Sequence, residues 1–537
     1  MRDGYFLMPK ERQDGTLQEV LESLIDRLEP WQDQHARSFI SVEVGDVPSH
    51  LPVRSRATAQ WLTDQVMERS GRVIRQTQVR EAVRVLDVRG RSSGRTARIW
   101  TRSALHEGHL YIDLADGSGR AVQVTTDGSE VVDEVPVRFF RSERAEALPV
   151  PKKWSGQKIP ELPDLINLPD RDAQLLFFGA LVAALWPEGA RPITVFQGEH
   201  GTAKTTAARM FVSMTDPQTS PVQSLPRGDQ DLALACMSQR VLAFDNLSDL
   251  NQRESDRLCR VSTGASHATR ALYTDSEMSV IPAQASLVLT GVGSVLDRPD
   301  AIDRAIVFDM ARLAEGSRMA EGDLWPSFHE AQPHFFSLLL DGLELALRHR
   351  HEVDGPLPRM ADAARVAAAS MPAIGAKASD FLEAHRRNEV SHYRAAIEAS
   401  PFGPALVDLV QEHEEWEGTH TDLLAELGRR VRSKGPGWPR AANVLSSQLT
   451  RLRPALASQG IEVEDFRSSD RASRKILRLT DRQASEVSEP PPAGGDAVIR
   501  RSHAEGREEP VRPDANVPPP QQEKLLTRVK QRFGLGR

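Results

Sequence analysis

One stretch of the sequence combines the residue types that bind phosphate groups. A β-branched and apolar segment, 192–197, is followed by a glycine turn and then by Lys204, Thr205 and Thr206. The next residues, 207–211, are typical of a helix. A strand that turns sharply into a helix presents backbone N–H groups to a phosphate, and the helix N-terminus adds about half a positive charge. The pattern predicts a phosphate-binding loop.

The side chains of this loop indicate which ligand it takes. Lys204 would reach the β- and γ-phosphates of ATP, and the Thr205 hydroxyl would ligate Mg²⁺. Ala203 stands where a second glycine is usual. The alternative interpretation is an ordinary glycine turn with a surface lysine. The predicted cofactor-binding residues are Gly198, Glu199, Gly201, Thr202, Ala203, Lys204, Thr205 and Thr206.

Two further apolar segments complete the pattern of a nucleotide site. Residues 241–245 form a predicted buried strand that ends in Asp245, a second Mg²⁺ ligand beside Thr205. Residues 286–290 form another, and Thr290 at its end occupies the position of a γ-phosphate sensor. Arg298 and Arg304 follow closely. We therefore predict Asp245, Thr290, Arg298 and Arg304 as the catalytic residues.

Composition limits the class of protein. The chain has 537 residues, 39% of them hydrophobic and 27% charged, which indicates a globular protein of three or four domains. The net charge of −7 means that nucleic-acid binding would depend on local basic surfaces. Two cysteines, Cys236 and Cys259, form no metal or disulfide pattern, which favours a reducing cytoplasm. No apolar signal core or membrane span is predicted.

Residues 1–150 are predicted to form an α+β accessory module. Helical spacing occurs at 17–28 and 57–68, and β-type segments at 97–100, 110–114, 122–126 and 135–140. Asp113 and Asp116 could be imagined as a metal pair, but no third acid or lysine accompanies them. We interpret both as solvated hairpin residues, and His106 and His109 likewise lack partner ligands.

The remaining boundaries follow from changes in composition. We predict a nucleotide-binding core with a leading helix at 151–312, a helical lid or bundle at 313–400, and a third domain at 401–481. From 482 to 537 the chain is rich in Pro, Glu, Ser and Gly, which predicts disorder. No internal repeat is evident.

The domain at 401–481 has the pattern of a winged helix. Three helical segments, 405–415, 421–433 and 441–452, precede a two-stranded hairpin with a tip rich in Arg and Ser. A winged helix is a variant of the helix-turn-helix, a DNA-binding motif. The alternative is a structural domain with a solvated charged surface. The candidate phosphate contacts are Arg440, Arg451, Arg467, Arg471, Arg474 and Lys475.

The order of these motifs resembles that of superfamily three helicases. The segment between the second and third strands contains Thr263-Gly264 and Arg270-Ala-Leu-Tyr273, as that family does. The chain is also similar to the ATP-binding primase–helicase-like proteins of bacteriophages and integrated elements. Four segments carry this likeness, at 198–206, 244–248, 272–275 and 298–304. The resemblance covers 110–479 and implies an α/β fold: a P-loop NTPase core of the AAA+ or superfamily three helicase type, with an α+β N-terminal module and a C-terminal winged helix.

The resemblance also implies roles for individual residues. Arg304, with Arg298 as the runner-up, would act as an arginine finger on the ATP of a neighbouring subunit. Arg260, Arg270 and Tyr273 would belong to a hairpin that grips single-stranded DNA in the channel of a hexamer. The chain departs from the family where Thr290 replaces an Asn and where Asn246 replaces a second carboxylate. The run of glycines after Thr263 is also thinned, to Gly264 alone, followed by Ala-Ser-His. Asp245 and Glu199 are both candidates for activating water.

Two functions are compatible with these observations. The first is an ATP-driven DNA helicase or translocase that replicates a phage or mobile element as a homo-oligomeric, hexameric ring. The second is a regulatory ATPase switch that binds ATP and a DNA or protein partner without unwinding. Basic residues in the hairpin segment and the predicted winged helix favour the first, and the missing sensor Asn favours the second. No primase centre is recognisable in the sequence.

Overall fold

The computed structural model describes residues 16–45, 47–153, 165–248, 250–264, 266–270, 278–282, 284–314, 316, 318–435, 437–467 and 475–481. The chain forms two compact units, Met1–His392 and Tyr393–Arg537. No helix in these ranges is both long and apolar enough to cross a lipid bilayer.

The first unit begins with helices packed on a small sheet. The helices are α1 (Leu17–Arg27), α2 (Arg56–Ser70) and α3 (Gln76–Ser92), and the antiparallel sheet contains β1 (Trp31–Gln32), β2 (Ser38–Val44) and β3 (Val47–Pro52). Both α1 and α2 start with a hydroxyl side chain that accepts a hydrogen bond from a first-turn N–H group, which stabilises those helix ends. Apolar residues of all three helices form one core with β2.

A second group of strands follows. Four strands form an antiparallel meander: β5 (Ser103–His106), β6 (His109–Asp113), β7 (Ala121–Val124) and β8 (Ser129–Val132). Two short strands, β4 (Ile99–Trp100) and β9 (Arg138–Phe139), pair in parallel. Asp113 corrects one of our predictions. Its side chain is buried rather than solvated, because Arg141 donates to both carboxylate oxygens at 2.7 Å.

A four-stranded parallel sheet forms the centre of the first unit. Its order is β11-β14-β10-β15, built from β10 (Ile193–Gln197), β11 (Val241–Leu247), β14 (Ser286–Gly291) and β15 (Ala305–Asp309). The helices around it are α4 (Arg171–Leu185), α5 (Lys204–Thr215), α6 (Asp229–Ser238), α7 (Gln252–Thr263) and the short α8 (Pro299–Ile302). Every residue of β10 is buried, as expected for a central parallel strand covered on both faces.

Four phenylalanines hold the central strand against its helices. Phe177 of α4 contacts Phe196 of β10, Phe211 of α5 and Phe308 of β15, with ring centroids 5.8–6.1 Å apart. Phe196 also stacks on Phe308. The rings fix the strand end and the helix start between which the predicted phosphate loop lies.

The first unit is completed by helices that share the core of the parallel sheet. These are α9 (Glu321–His349), α10 (Ala361–Ser370) and α11 (Ala378–Ala399). The residues of α11 from Tyr393 onward belong to the second unit. Helices α10 and α11 are separate, because a 3-10 turn at Met371–Ile374 contains Pro372 and ends at Gly375 in the left-handed conformation. Residues of β6 and β7 belong to the same core.

A two-stranded hairpin leaves the parallel sheet after α7. Its strands, β12 (Ser266–Arg270) and β13 (Met278–Pro282), pair antiparallel, with Arg270 opposite Met278. Residues 271–277, which include the predicted DNA contact Tyr273, lie outside the described residues.

The second unit alternates helices and strands. Its elements in chain order are α12 (Gly403–His413), β16 (Glu415–Gly418), α13 (His420–Arg430), α14 (Ala442–Ser458), β17 (Ile461–Arg467) and β18 (Lys475–Asp481). The antiparallel sheet has the order β16-β18-β17. Buried leucines of the three helices and of β18 form its core: Leu406, Leu423, Leu445, Leu449 and Leu477. The three helices and the hairpin lie where the sequence predicts them, whereas β16 was not predicted.

Candidate nucleotide site

The loop between β10 and α5 has a backbone that constrains its residues. Gly198 has a φ of 144°, and a Cβ there would lie 2.5 Å from the Met310 carbonyl oxygen. Gly201 and Ala203 are left-handed, with φ of 78° and 63°. The left-handed conformation costs a residue with a side chain about 1–2 kcal/mol of conformational free energy, which explains why glycine is usual at the position of Ala203. No side chain caps the first turn of α5, so its N–H groups remain available to an anion.

Lys204 folds its side chain back over the loop. Its ammonium donates to the carbonyl oxygens of Gly198 at 2.9 Å and Glu199 at 2.5 Å, and lies 3.4 Å from the Thr202 hydroxyl. Burial lowers the pKa of Lys204, and the nearby Asp245 carboxylate partly offsets this shift. The ammonium is therefore held against the backbone of the loop.

Asp245 is the meeting point of the three predicted motifs. Its Oδ1 accepts a hydrogen bond from the Thr205 hydroxyl at 2.9 Å and another from the Thr290 hydroxyl. The backbone N–H of Asn246 in turn donates to the Thr290 oxygen at 3.0 Å. A bulge between Phe244 and Leu247 interrupts the pairing of β11 with β14 at this point. The strand order places β14 next to both β10 and β11, which brings these side chains together.

The donor atoms fit a Mg²⁺ ion. Thr205 Oγ1 and Asp245 Oδ1 are hard oxygen ligands, and they lie 2.9 Å apart. Adjacent ligands of an octahedral Mg²⁺ with metal–oxygen distances of about 2.1 Å are separated by about 3.0 Å. Among the described residues, no group of three or more His, Cys, Asp or Glu side chains could form an all-protein metal site. The arrangement suits an ion that takes its other ligands from phosphates and water.

Glu199 and Thr206 complete the predicted loop set. Glu199 is exposed, and its backbone oxygen accepts from both Lys204 and Thr202. Thr206, in the first turn of α5, is partly buried. The geometry around Asp245 does not bring the Glu199 side chain into the hydrogen-bond network described above.

The two predicted arginine fingers contact residues of α7 and α8. Arg304 directly precedes β15, whose first residue pairs with the start of β10, while the loop follows the other end of β10. Five residues of strand separate these edges by on the order of 16 Å. Arg304 donates to the Asp300 carbonyl, and Arg298 lies 3.5 Å from Asp256 and 3.3 Å from Asp300. Neither guanidinium contacts the loop of its own chain.

The structure describes only some of the predicted DNA-binding residues. Arg260 is exposed on α7, and Arg440 and Arg451 are exposed in the second unit. Arg270 ends β12 and Lys475 begins β18, opposite Arg467. Tyr273, Arg471 and Arg474 lie outside the described residues.

Two residues at the loop were not predicted from the sequence. The Asn167 amide donates to the carbonyl oxygens of Thr202 at 3.2 Å and Ala311 at 2.6 Å, and so links the loop to the end of β15. The guanidinium of Arg318 lies against the loop, since a Cβ on Gly201 would be 2.7 Å from its Nη2. Both are far from the loop in sequence, and neither belongs to a recognisable motif.

A cavity of about 210 Å³ lies near the loop, although none of residues 198–206 lines it. It lies between the start of α4, the outer edge of β15 and α11, and its lining includes Asp170, Phe308, Asp309, Ser391 and His392. Asp309 accepts a hydrogen bond at 2.8 Å from Gln197, the last residue before the loop. Burial lowers the pKa of His392, although Asp309, 3.6 Å away, opposes that shift. Asn388 pairs with both backbone groups of Val307 and so covers the exposed edge of β15.

Comparisons with known proteins point to replication of mobile DNA. Residues 159–389 match the family model of the actinomycete integrative conjugative element replication protein, and residues 402–493 match the model of the C-terminal domain of the same protein, RepA. The chain matches no curated protein sequence.

Solved structures resemble the chain only weakly. Two apo structures of the NrS-1 C-terminal region align with 87% of this chain and with 100% of theirs, at 12% identity and TM-scores of 0.37 and 0.35. At these values the likeness establishes neither a shared fold nor a shared function.

Proposed function

We propose that this chain, a mobile-element replication protein by its two family matches, is an ATP-driven DNA translocase or helicase. The observation that carries the proposal is the convergence of the Thr205 and Thr290 hydroxyls on Asp245 Oδ1, beside the Lys204 ammonium. A lysine, a Mg²⁺-binding hydroxyl and an acid at the ends of parallel strands of one sheet are the parts that phosphoryl transfer requires. The parallel sheet with this loop would then be a P-loop NTPase core.

Different residues of the site would bind the phosphates of ATP and the Mg²⁺ ion. Lys204 would exchange its carbonyl partners for the β- and γ-phosphate oxygens, which are stronger acceptors because they are charged. Thr205 and Asp245 would hold Mg²⁺, which neutralises charge on the phosphates when bound. Thr290 would keep the Asp245 carboxylate oriented. Arg318 would add a cation in cis on the open side of the loop, near Gly201.

The cavity beside the loop would receive the nucleoside. Asp309, which lines the cavity, accepts a hydrogen bond from Gln197. Asn167 lies three residues before Asp170, another lining residue, and donates to the loop carbonyl of Thr202. A ligand anchored by its phosphates on residues 198–205 would therefore have the cavity next to it. Much of the polar lining already has internal partners, so we expect shape to matter more than hydrogen bonds in recognising the base.

The distant arginines support a shared site between subunits. Since Arg304 lies at the opposite edge of the sheet from its own loop, a finger at this position would act on the ATP of a neighbouring copy. A closed homo-oligomeric ring, a hexamer in the resembling family, would supply that contact. Arg298, held by two acids, remains the second candidate.

The second unit would contribute a DNA contact as a winged helix. Its order of helix, strand, two helices and a hairpin, with a three-stranded sheet, suits that motif. In such a domain α14 would be the recognition helix. The exposed Arg440, just before its start, and Arg451, near its middle, would contact phosphates.

DNA-stimulated ATP hydrolysis tests the proposal. We expect wild-type protein to hydrolyse ATP faster when single-stranded DNA is added and to displace a strand from a forked duplex. Lys204→Ala should abolish both activities and tight Mg-ATP binding, because the point charge aimed at the phosphates is lost. Lys377→Ala, at an exposed lysine outside the site, is the matched control and should behave as wild type.

The alternative function gives a different result. A regulatory switch would bind ATP through Lys204 but show neither stimulation by DNA nor strand displacement. Wild-type ATP affinity in a folded Lys204→Ala variant, measured by calorimetry, would show that the loop is not the nucleotide site.

A further inference from the structure

The N-terminal part of the first unit contains an unusually basic segment. Residues 69–98 include nine arginines, no lysine and only two acids, Glu81 and Asp87, although the whole chain has a net charge of −7. Arg89, Arg95 and Arg98 pair with Asp26, Glu29 and Glu188 of other segments. The remaining exposed arginines produce a local positive surface, which is the electrostatic signature of nucleic-acid binding. The nucleotide site uses none of these arginines.

Helix α3 sorts this segment into two faces. Val79, Ala82 and Leu86 are buried against the N-terminal core. Arg80, Arg84 and Arg91 are exposed, and their spacing of four and seven residues places them on one side of the helix. The helix therefore presents a row of guanidinium groups to solvent.

The acids nearby do not neutralise this row. Asp87 is buried and its Oδ2 is shared by Arg54 at 2.6 Å and Arg91 at 2.8 Å, so one carboxylate serves two guanidinium groups. Within the described parts of the chain, neither Arg80 nor Arg84 forms an ion pair. We name Arg54, Arg80, Arg84 and Arg91 the arginine face.

We propose that the arginine face binds the phosphate backbone of DNA. The contact would be additional to those proposed for the β12–β13 hairpin and the second unit. Guanidinium groups donate paired hydrogen bonds to phosphate oxygens and, unlike lysine, hold a fixed geometry. Arg80 and Arg84 are about 6 Å apart along the helix axis, and a DNA strand offers one phosphate per 3.4 Å of rise. Two adjacent guanidinium groups therefore fit a short stretch of one strand.

An acidic protein partner fits this face less well. Stable protein interfaces have an apolar centre from which charges are depleted. Helix α3 exposes only two large apolar side chains, Val85 and Val88, which are 42% and 62% exposed. A replication protein also acts on DNA, a polyanion whose negative charge complements the arginine face.

Salt-dependent DNA binding tests the proposal. The full-length double variant Arg80→Gln with Arg84→Gln would be compared with wild type by fluorescence anisotropy, on duplex and single-stranded DNA of equal length, without nucleotide. We expect weaker binding and a slope of log affinity against log salt that is smaller by about one for each arginine removed. A larger loss on one of the two substrates would identify which form of DNA the face prefers.

Two matched controls make the result specific. Glu81→Gln, on the same helix, should leave binding unchanged or slightly stronger, and Arg386→Gln, at an exposed arginine of α11, should leave it unchanged. Unaltered affinity and slope in a double variant with wild-type melting behaviour would overturn the proposal and reassign the face to a protein partner. The assay is independent of ATP, and Lys204→Ala should keep the full arginine-face contribution even if the proposed ATPase activity proves wrong.

Discussion

Arg102 donates a hydrogen bond from Nε to Asp216 at 2.8 Å, and both side chains are only 2% exposed. Arg102 precedes the antiparallel meander, and Asp216 ends the helix that follows the phosphate loop. The second oxygen of Asp216 accepts from the backbone N–H groups of Arg240 at 2.7 Å and Val241 at 3.3 Å, at the start of the strand that carries Asp245. One buried carboxylate thus joins the N-terminal strands to both halves of the candidate nucleotide site.

Replacing Arg102 should destabilise the first unit strongly. Arg102→Met keeps the apolar stem but leaves the Asp216 carboxylate buried with one strong partner fewer, and loss of one member of a buried pair costs about 3–5 kcal/mol. Chemical denaturation would measure the change. Arg89→Met is the control, because Arg89 pairs with Asp26 at the surface and such pairs contribute about 0.2–1 kcal/mol. Equal losses in the two variants would mean that the buried network is not a structural link.

Thr290 offers a test of how Asp245 is oriented. Thr290→Val has nearly the same shape but removes the hydroxyl that donates to Asp245 and accepts from Asn246. We expect ATP affinity to change little and turnover to fall by on the order of 10²-fold, because misplacing a reacting group by about 1 Å has that effect. Thr290→Ser should retain most activity. Single-turnover hydrolysis that is equal in the Val and Ser variants would exclude an orienting role.

Arg304 should act on the site of a neighbouring copy. Arg304→Ala is expected to bind ATP normally but to lose about 10³-fold or more in turnover, the range seen for arginine fingers. Mixing it with Lys204→Ala should restore part of the activity, since an interface can then combine an intact loop with an intact finger. If the two variants assemble together and stay inactive, the shared-site arrangement is contradicted.

A bulky side chain at the edge of the cavity near the loop should block the space proposed for the nucleoside. Ser391 is exposed at the edge of this cavity, so Ser391→Trp should fold normally while its indole occupies the space proposed for the nucleoside. We expect ATP affinity to fall at least tenfold and tripolyphosphate affinity to stay unchanged, measured by calorimetry. Ser391→Ala controls for loss of the hydroxyl. Equal losses for ATP and tripolyphosphate would show that the cavity does not hold the nucleoside.

His50 should make the stability of the first unit sensitive to acid. Burial, reinforced by Arg138 and Arg141, lowers the pKa of His50 to about 3. In the unfolded chain its pKa is near 6.5, so below that pH the unfolded state takes up a proton that the folded state cannot. The free energy of unfolding contributed by His50 is therefore complete above pH 6.5 and falls by about 1.4 kcal/mol per pH unit between pH 6.5 and 3.

His50→Gln removes this titration. Its free energy of unfolding should decline less steeply than that of wild type between pH 6.5 and 4.5, as measured by denaturant unfolding at several pH values. Parallel pH profiles for the two proteins would mean that His50 titrates normally in the folded state.

Local pattern was enough for the elements with strong signals. The strand, turn and helix around Lys204 lie where the sequence predicts them, since continuous apolar residues, glycine and a helical segment each act over a few residues. The three helices and hairpin of the second unit follow in the same way. Helix α3 and the strands β2, β3, β5 and β8 were not predicted. In α3, ten charged and polar positions obscure an apolar stripe of only a few residues. Strands β5 and β8 have only four residues each, and β3 contains Pro48 and Pro52.

The sequence by itself determined which residues were chemically equipped for a nucleotide site: Lys204, Thr205, Asp245 and Thr290 stand out by type and by their place after apolar strands. Only the tertiary structure decided that the Thr205 and Thr290 hydroxyls both donate to Asp245 Oδ1. Strand order in a sheet depends on long-range pairing that no local pattern encodes. The same is true of Asp113, a surface hairpin residue by its local pattern. It is buried because Arg141, 28 residues away, folds back to neutralise it, and burial of a charge depends on the partner that the fold supplies.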